Sequence, residues 1–430
     1  MSSLRHQSER GAATLVVVMV LFLIMAMMAA FANRNMVFEQ RIASNYYRAG
    51  VALETAEAGA EWTLGMLNGL HINQACLADT AVTNSFRDRY LNISPSSREV
   101  TPAAVTPAAV NAPVVADCVR SEAQGWLCAC PTAAWAAPAS APVAAANMQP
   151  SYLVRLVSPW VNRPGNVRIE STGCTSSVAS NCAATATSSD MALARTMVQV
   201  DAALVSALKV PPSTPLTVKG EISLGANGVG LHNSDPLSNG LLLLTSDIDV
   251  PGLLETRLDT LPGTPAQQAL IFGDGGLGAA SSEAMFKMFF GMAPTRYVNQ
   301  PAMRQVSCAV DCGPSLVAAY ASGVRMAWIN GPLNISTTTL LGTATSPMLI
   351  VASGPVRIEA ALQLTGLLYA QSDVIWINTT VLPALLTGAM LVDGNLTIDG
   401  TVDIWYQTSV INELKNRMGS FVRVPGSWWN

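Results

Sequence analysis

Eight cysteines are the residues of this sequence most able to form covalent links, and all of them follow an apolar run near the amino terminus. An even number of cysteines on the exported side of a membrane favours disulfide bonds over metal ligation. Cys174 and Cys182 enclose a short loop, as do Cys308 and Cys312, so we predict a local disulfide in each pair. The spacing leaves open the pairing of the other four, which are Cys76, Cys118, Cys128 and Cys130.

Metal, nucleotide and catalytic chemistry have little support in the sequence. The three histidines, at positions 6, 71 and 232, are far apart, which argues against a metal site or an imidazole base. Residues 273–278 read GDGGLG, but no acidic residue follows about 20 positions later and no βαβ context repeats, so we predict a glycine-rich turn. We predict no enzyme, cofactor or metal, and only a Ca²⁺ site stays open at acidic residues beside glycine turns, namely Asp247, Asp249, Asp393, Asp399 and Asp403.

The composition of the 430 residues indicates large buried surfaces, because half of them are hydrophobic and only 12% are charged. The net charge of −4 gives no basic footprint, so we predict no contact with nucleic acid.

The apolar run near the amino terminus contains no charged residue between Arg10 and Arg34, and all eight cysteines lie beyond it. Residues 12–32 rise about 1.5 Å each and so span roughly the 30 Å of a bilayer core. This run is too long for the apolar core of a secretory signal, which has about 7 to 15 residues. We predict that residues 12–33 span a membrane and are retained.

The helical pattern continues beyond the membrane segment. Small and apolar residues recur every three or four positions on one face, at Ile42, Tyr46, Ala49, Leu53, Ala56, Ala60, Leu64 and Leu67. The first clear breakers are Gly65 and the pair Asn68-Gly69. The sequence therefore predicts one long helix over residues 12–70, half in lipid and half amphipathic, which suits a subunit whose helix packs against copies of itself.

The amino-terminal region combines a short polar leader ending in Glu9-Arg10-Gly11, the apolar run, FEQRIASN at residues 38–45 and AEAG at residues 56–59. In this combination about the first 65 residues resemble the PilX-type minor pilins of type IV pili. The resemblance implies that prepilin peptidase removes residues 1–11 by cutting after Gly11 and methylates the new amino terminus at Ala12. It also implies partners: the major pilin and other minor pilins through the helix, and the pilus assembly platform of the inner membrane.

Position 16 departs from the family pattern. Most pilins have a glutamate there, whose carboxylate meets the terminal amine of a neighbouring subunit, whereas this chain has Val16. A buried charge without its partner is costly, so a subunit without the glutamate gains nothing from having another subunit's amine above it. We hypothesise that the protein lies at or near the tip of a filament.

Residues 71–207 begin with low-complexity segments and continue with three alternating runs at 152–157, 166–170 and 195–201. These runs predict a small antiparallel sheet on the exposed half of the helix, as in pilins. Three prolines within residues 208–215 mark a linker.

Residues 216–430 are predicted to form a mainly β domain, because β-rich runs recur after glycines at 220–224, 331–335, 354–358 and 394–398. This spacing indicates an irregular β-solenoid, with a β-sandwich as the alternative. Residues 279–292 and 315–322 are predicted to be inserted helices.

The carboxyl-terminal segment and the tryptophans are the last features that we interpret from the sequence. Residues 410–418 and the ending VRVPGSWWN are predicted to cap the solenoid, and the ending also resembles the tail of larger members of the same pilin family. Trp328, Trp376 and Trp405 lie in predicted strands, which favours core packing. Trp428 and Trp429 are candidate binding aromatics that suit either a docking anchor or a contact surface.

The sequence thus predicts an α+β minor pilin that supports pilus assembly and adhesion. The protein would be a single-pass inner-membrane protein with its carboxyl-terminal domain in the periplasm, and later an extracellular part of the pilus. The alternative is a large tip pseudopilin of a type II secretion system, a class that carries a mainly helical inserted domain.

Overall fold

The computed structural model describes residues 10–103, 114–131, 148–160, 163–183, 193–308, 310–378 and 380–429, without the side chains of residues 10–12 and 114–115. The predicted leader residues 1–9 and most of the low-complexity segments lie outside the described residues. The α-helices are α1 (Arg10–Leu67), α2 (Phe86–Tyr90), α3 (Gly275–Ala279), α4 (Ser282–Phe290), α5 (Pro294–Tyr297), α6 (Gly313–Ala321) and α7 (Thr408–Asn412).

The first seven strands belong to the region after α1. They are β1 (Leu91–Ile93), β2 (Val100–Pro102), β3 (Val114–Ser121), β4 (Gly125–Ala129), β5 (Ser151–Val157), β6 (Asn166–Cys174) and β7 (Arg195–Ser206). The strands of the next region, up to its inserted helices, are β8 (Leu216–Val218), β9 (Ile222–Leu224), β10 (Gly230–His232), β11 (Leu243–Thr245), β12 (Leu258–Asp259) and β13 (Leu270–Ile271).

The remaining strands follow the inserted helices. They are β14 (Met303–Val306), β15 (Met326–Ile329), β16 (Leu333–Ile335), β17 (Thr339–Leu341), β18 (Met348–Ala352), β19 (Val356–Ile358), β20 (Leu362–Ala370), β21 (Val374–Asn378), β22 (Ala384–Val392), β23 (Leu396–Gly400), β24 (Val402–Trp405) and β25 (Gly419–Trp429). Four 3₁₀ turns and one π-helical turn complete the described elements, at Ala179–Cys182, Pro236–Ser238, Glu255–Arg257, Ala266–Ala269 and Glu413–Arg417.

The long predicted helix is confirmed, since α1 runs without interruption for 58 residues. It ends at Leu67, where the backbone N–H groups of Asn68 and Gly69 bond back to Gly65 and Met66. The predicted breakers therefore terminate the helix three residues before the predicted boundary at residue 70.

A six-stranded antiparallel sheet packs on the second half of α1. Its order is β25-β7-β6-β5-β3-β4, and the three strands predicted from alternation lie in β5, β6 and β7. The helix contributes small and apolar side chains to the interface, of which Ala52, Ala56, Ala60, Thr63 and Leu67 are buried. This is the helix-on-sheet arrangement expected of a pilin-like α+β protein.

Strands β1 and β2 form a two-stranded antiparallel sheet, and strands β8 to β24 form two parallel sheets. A five-stranded sheet has the order β16-β19-β21-β23-β9, and a twelve-stranded sheet contains the path β12-β10-β24-β22-β20-β18-β15-β14. The four glycine-preceded runs of the sequence supply β9, β16, β19 and β23, all in the five-stranded sheet. Neighbouring strands align Met326 with Leu349, Met348 with Gly366 and Gly366 with Gly388, so the partners are 23, 18 and 22 residues apart.

Inserted helices pack on the larger sheet from both sides, α4 with the cluster around Trp328 and α6 with the cluster around Ala327, and both lie close to where they are predicted. Helix α4 lies within the predicted 279–292, and α6 overlaps the predicted 315–322. Phe286 and Phe290 of α4 form ring contacts with Tyr369 of β20 at centroid distances of 5.1 and 5.3 Å, which joins the helix to the sheet through an aromatic cluster.

Two expectations need correction. Trp405 is not a core residue: it is 47% exposed, whereas Trp328 and Trp376 are buried. Residues 419–429 are not a cap on the parallel sheets, because β25 pairs antiparallel with β7 in the other sheet, whereas Ile411 and Leu414 of the preceding segment do pack against the twelve-stranded sheet. In both cases alternation identifies a strand, but it does not say which face meets solvent or which partner the strand finds.

Candidate functional site

The exposed half of α1 is the most unusual surface of the molecule. All described side chains from residue 13 to residue 47 are exposed, and most of those before Arg34 are apolar. Among the described residues, α1 is the one helix long and apolar enough to cross a membrane, and none of its most apolar window is buried. Such a surface is stable only in lipid or against other apolar helices, since burying it gains about 25 cal/mol per Å².

The residues predicted for processing lie at the start of this helix. The backbone of Gly11 and Ala12 is helical, and their side chains lie outside the described residues. Val16 is 58% exposed on the same helix, so in an assembly it would face a neighbour or lipid.

Two glycines let the second half of α1 approach the sheet closely. A Cβ atom on Gly173 of β6 would overlap the carbonyl oxygen of Ala52 and the amide nitrogen of Ala56, which are backbone atoms of α1. A Cβ atom on Gly59 of α1 would overlap the hydroxyl of Ser171 and come within 2.8 Å of the Tyr152 ring. At Gly173 backbone therefore rests on backbone, and at Gly59 the helix backbone rests on side chains of the sheet, which fixes the position of the helix on the sheet.

Asn68 joins the end of α1 to the other parts of the molecule. Its Nδ2 donates to the carbonyl oxygens of Leu64 and Phe421, both at 2.9 Å, and its Oδ1 accepts from the Phe421 N–H at 2.8 Å. Its own carbonyl oxygen accepts from Arg304 Nη2 of β14 at 2.9 Å. One residue thus links the helix, the last strand of the antiparallel sheet and the edge of the parallel sheet.

Histidine and arginine side chains meet at the same junction. Arg325 Nη2 lies 3.3 Å from His71 Nε2, and the His71 N–H donates to Ser322. Burial, together with the charge of Arg325, lowers the pKa of His71, so the imidazole is neutral and accepts from the guanidinium at neutral pH. Arg87 donates to the carbonyl oxygen of Gly419 at 2.9 Å.

The structure joins all eight cysteines in disulfides. Cys174 bonds to Cys182 and Cys308 to Cys312, the two pairs that we predict as local bridges. The pairs left open by the sequence are Cys76–Cys130, which ties the segment after α1 to the end of β4, and Cys118–Cys128, which bridges β3 and β4. No three of the described His, Cys, Asp and Glu residues cluster as metal ligands.

Trp428 and Trp429 both hold the carboxyl-terminal strand in place. Trp428 is half-buried against the core beneath α1, with the Arg423 guanidinium 5.5 Å from its ring. The Arg168 guanidinium lies 4.8 Å from the ring of Trp429 and 4.8 Å from that of Trp160. These contacts give both tryptophans a structural role, and the 45% exposure of Trp429 leaves part of its ring open.

Sequence reasoning misses several residues that matter in the structure. Asn68 is visible only as part of a helix-breaking pair, and its long-range partners leave no local signal. Gly173 interrupts an alternating strand, which is a weak indication of close backbone approach. The pairing of His232 with Trp405, which stack at 4.0 Å, depends on strands 173 residues apart and cannot be inferred from spacing.

Comparison with known proteins supports the interpretation of the amino-terminal region. Residues 10–61 match the family model described as PilX N-terminal. The crystal structure of the competence-associated pilin ComZ from Thermus thermophilus is 10% identical, with 89% of this chain and 97% of that chain covered at a TM-score of 0.24. No curated protein matches the chain.

Proposed function

We propose that this chain, which has a PilX N-terminal segment at residues 10–61, is a minor pilin of a type IV pilus. The observation that carries the proposal is α1 itself: one continuous helix whose first half is apolar and exposed and whose second half is fixed on an antiparallel sheet. The role is structural and not catalytic. Its partners are other pilins and the pilus assembly machinery of the inner membrane.

Assembly follows from the chemistry of this helix. Prepilin peptidase removes the leader after Gly11, and the apolar half of α1 holds the processed subunit in the inner membrane with the rest of the chain in the periplasm. During assembly the helix exchanges lipid for neighbouring helices, so its apolar surface stays out of water throughout. The contacts of Gly173, Gly59 and Asn68 keep the globular part aligned with the helix as the subunit leaves the membrane.

The absence of a carboxylate at position 16 favours the tip. Val16 cannot pair with the amine of another subunit above it, whereas the amine of Ala12 remains available to a glutamate from the subunit below. A subunit that offers only one of these two contacts suits the end of a filament. From there, the β-rich region beyond α1 would face the environment.

We interpret the parallel sheets of residues 216–430 as an irregular β-solenoid. Parallel pairing at offsets of about 20 residues supports stacked coils over a sandwich, which is commonly antiparallel. The same β-rich architecture favours a pilin over the large tip pseudopilin of type II secretion, whose inserted domain is mainly helical.

Deletion of the gene is expected to reduce the number of surface pili, and a complementing copy with an epitope tag should label pilus ends under the electron microscope. A Gly11→Val copy should fail to restore piliation because its leader cannot be removed, whereas a Gly65→Ala copy should restore it. Gly65 has open space around its Cβ position and is therefore a matched control within the same helix. Unchanged piliation after deletion, or label spread evenly along the shaft, would contradict the proposal.

A further inference from the structure

A row of aromatic and polar side chains lies on the outward face of the twelve-stranded sheet. In adjacent parallel strands, Thr387 of β22 aligns with Trp405 of β24, Trp405 with His232 of β10, and His232 with Asp259 of β12. The rings of Trp405 and His232 stack at a centroid distance of 4.0 Å with 13° between their planes. The indole is nevertheless 47% exposed, and its neighbour on the side away from His232 is a small hydroxyl-bearing residue.

A fixed carboxylate lies beside this row. Asp403 lies two residues before Trp405 and so on the same face of β24. Its Oδ1 is 2.7 Å from Arg257 Nη2 and 3.4 Å from His232 Nε2. Gly230 occupies the adjacent position in β10, and a Cβ atom there would overlap Asp403 Oδ1, so the glycine provides the space that the carboxylate fills.

This carboxylate is ionised over the physiological range. The hydrogen bond from His232, followed by the hydrogen bond and charge of Arg257, holds the pKa of Asp403 below its ordinary value. Asp259 is a second acceptor, and 69% of its side chain is exposed. Together Asp403, Asp259 and Arg257 give the face a formal charge of about −1, with acceptors in excess of donors.

The face lies at the end of the sheet that is distant from α1. Strand β14, at the other end of the path, contacts the end of α1 through Arg304 and Asn68. Strand β24 is five strand spacings from β14, which amounts to about 24 Å at about 4.8 Å per spacing. The row is therefore presented away from the helix that would lie in a filament.

We propose that this face binds an uncharged saccharide. A pyranose ring has C–H groups on its faces and hydroxyls at its edge, so it can pack on the electron-rich face of Trp405 while its hydroxyls donate to carboxylates. The open face of Trp405 is turned toward Thr387, whose hydroxyl is nearest to a sugar packed there, and Asp403 in the same strand as Trp405 supplies an acceptor. Asp259 lies beyond His232, two strand spacings or about 10 Å from Trp405, so it would accept from a second sugar unit of an oligosaccharide. An acidic sugar would be repelled by the net negative charge of the same groups.

A protein partner fits the face less well. Protein–protein hot spots place an aromatic residue at the centre of a well-packed, desolvated patch from which charged residues are depleted. Here the neighbours of Trp405 in the row are a hydroxyl, an imidazole and a carboxylate, which suit a ligand rich in hydroxyl groups. The inference deepens the surface-contact part of the proposed function and rests on it for where the site is displayed.

The test uses purified full chain in a zwitterionic detergent, applied to an array of immobilised neutral, amino and acidic oligosaccharides. We expect retention on neutral oligosaccharides, a loss of at least tenfold in apparent affinity for Trp405→Ala, and a smaller loss for Asp259→Asn, which removes only the contact to a second sugar unit. Trp429→Ala is the matched control, because Trp429 is similarly exposed, at 45%, but lies in the antiparallel sheet. Its binding should equal that of the unmodified chain, and all three variants should keep the same far-ultraviolet circular dichroism.

No retention on neutral oligosaccharides, retention on acidic ones only, or equal binding by the Trp405→Ala variant would overturn the inference. The assay needs no filament, so it reports on the saccharide site separately from pilus incorporation. If the chain binds sugar but never enters pili, the saccharide site is supported and the proposed function is contradicted. If the chain enters pili but binds no sugar, the proposed function is supported and the saccharide site is contradicted.

Discussion

Replacing Gly173 with alanine is expected to loosen α1 from the antiparallel sheet. The added methyl group would overlap backbone atoms of Ala52 and Ala56, and backbone cannot rotate away as a flexible side chain can. Overpacking of this kind costs about 1–3 kcal/mol. Amide hydrogen exchange should therefore accelerate in the helix over residues 52–67 by roughly 5–150-fold, since local opening governs exchange.

The control for this prediction is Gly65→Ala in the same helix. Its Cβ position has open space, and alanine in a helix interior is favoured over glycine by about 0.5–1 kcal/mol. Exchange over residues 52–67 should then stay the same or slow. If Gly173→Ala leaves exchange in the helix unchanged, the close backbone contact does not hold α1 on the sheet.

Gly388→Ala is expected to disrupt the stacking of the parallel strands. Gly388 has a φ of +141°, and a Cβ atom there would overlap the carbonyl oxygen of Gly366, its partner in β20. Gly366 has a φ of +151°, and a Cβ atom there would overlap the carbonyl oxygen of Met348, its partner in β18. The strained φ and the overlap each cost about 1–3 kcal/mol, so the combined loss is about 2–6 kcal/mol.

Hydrogen exchange separates this effect from a general loss of stability. We expect faster exchange in β20 and β22 of the Gly388→Ala variant and unchanged exchange in β5 and β6. Gly331→Ala isolates the contribution of φ, because Gly331 has a φ of +87° with open space around its Cβ position. Equal exchange in the Gly388→Ala and Gly331→Ala variants would show that the stacked glycines are not a steric requirement.

The elements that the sequence predicts correctly are those set by local pattern. The long helix follows from an uncharged apolar run continued by a face with spacings of three and four, and its end follows from Asn68-Gly69. Four strands of the five-stranded sheet follow from glycines placed before short β-rich runs. In these cases the residues that form the pattern lie within the predicted element or directly beside it.

The pairings that the sequence does not predict are distant along the chain. Strand β25 pairs with β7, and β8 at the start of the parallel region pairs with β22 near its end. Such contacts depend on how whole layers stack and leave no trace in local spacing. The exposure of Trp405 is missed for the same reason, because alternation separates two faces without identifying the solvent side.

The residues of the candidate site also fall into those that the sequence identifies and those that only the structure shows. Gly11, Ala12 and Val16 are identified by resemblance to a family and not by their own chemistry, and they remain predictions to be tested. The contacts that hold the helix, made by Asn68 and Gly173, become visible only when distant segments are brought together. Cys174–Cys182 and Cys308–Cys312 are predictable from loop length. The pairing of the other four cysteines is not, because Cys76–Cys130 spans 54 residues and Cys118 has both Cys128 and Cys130 nearby in sequence.

The central claim is that the apolar half of α1 survives processing and enters a filament. Mass spectrometry of the amino terminus, carried out on protein from purified surface pili, tests it most directly. The account predicts a chain that begins with N-methylated Ala12 and retains the apolar segment. A pilus-associated or secreted form that begins after residue 32 would contradict it, and so would a form that retains Met1.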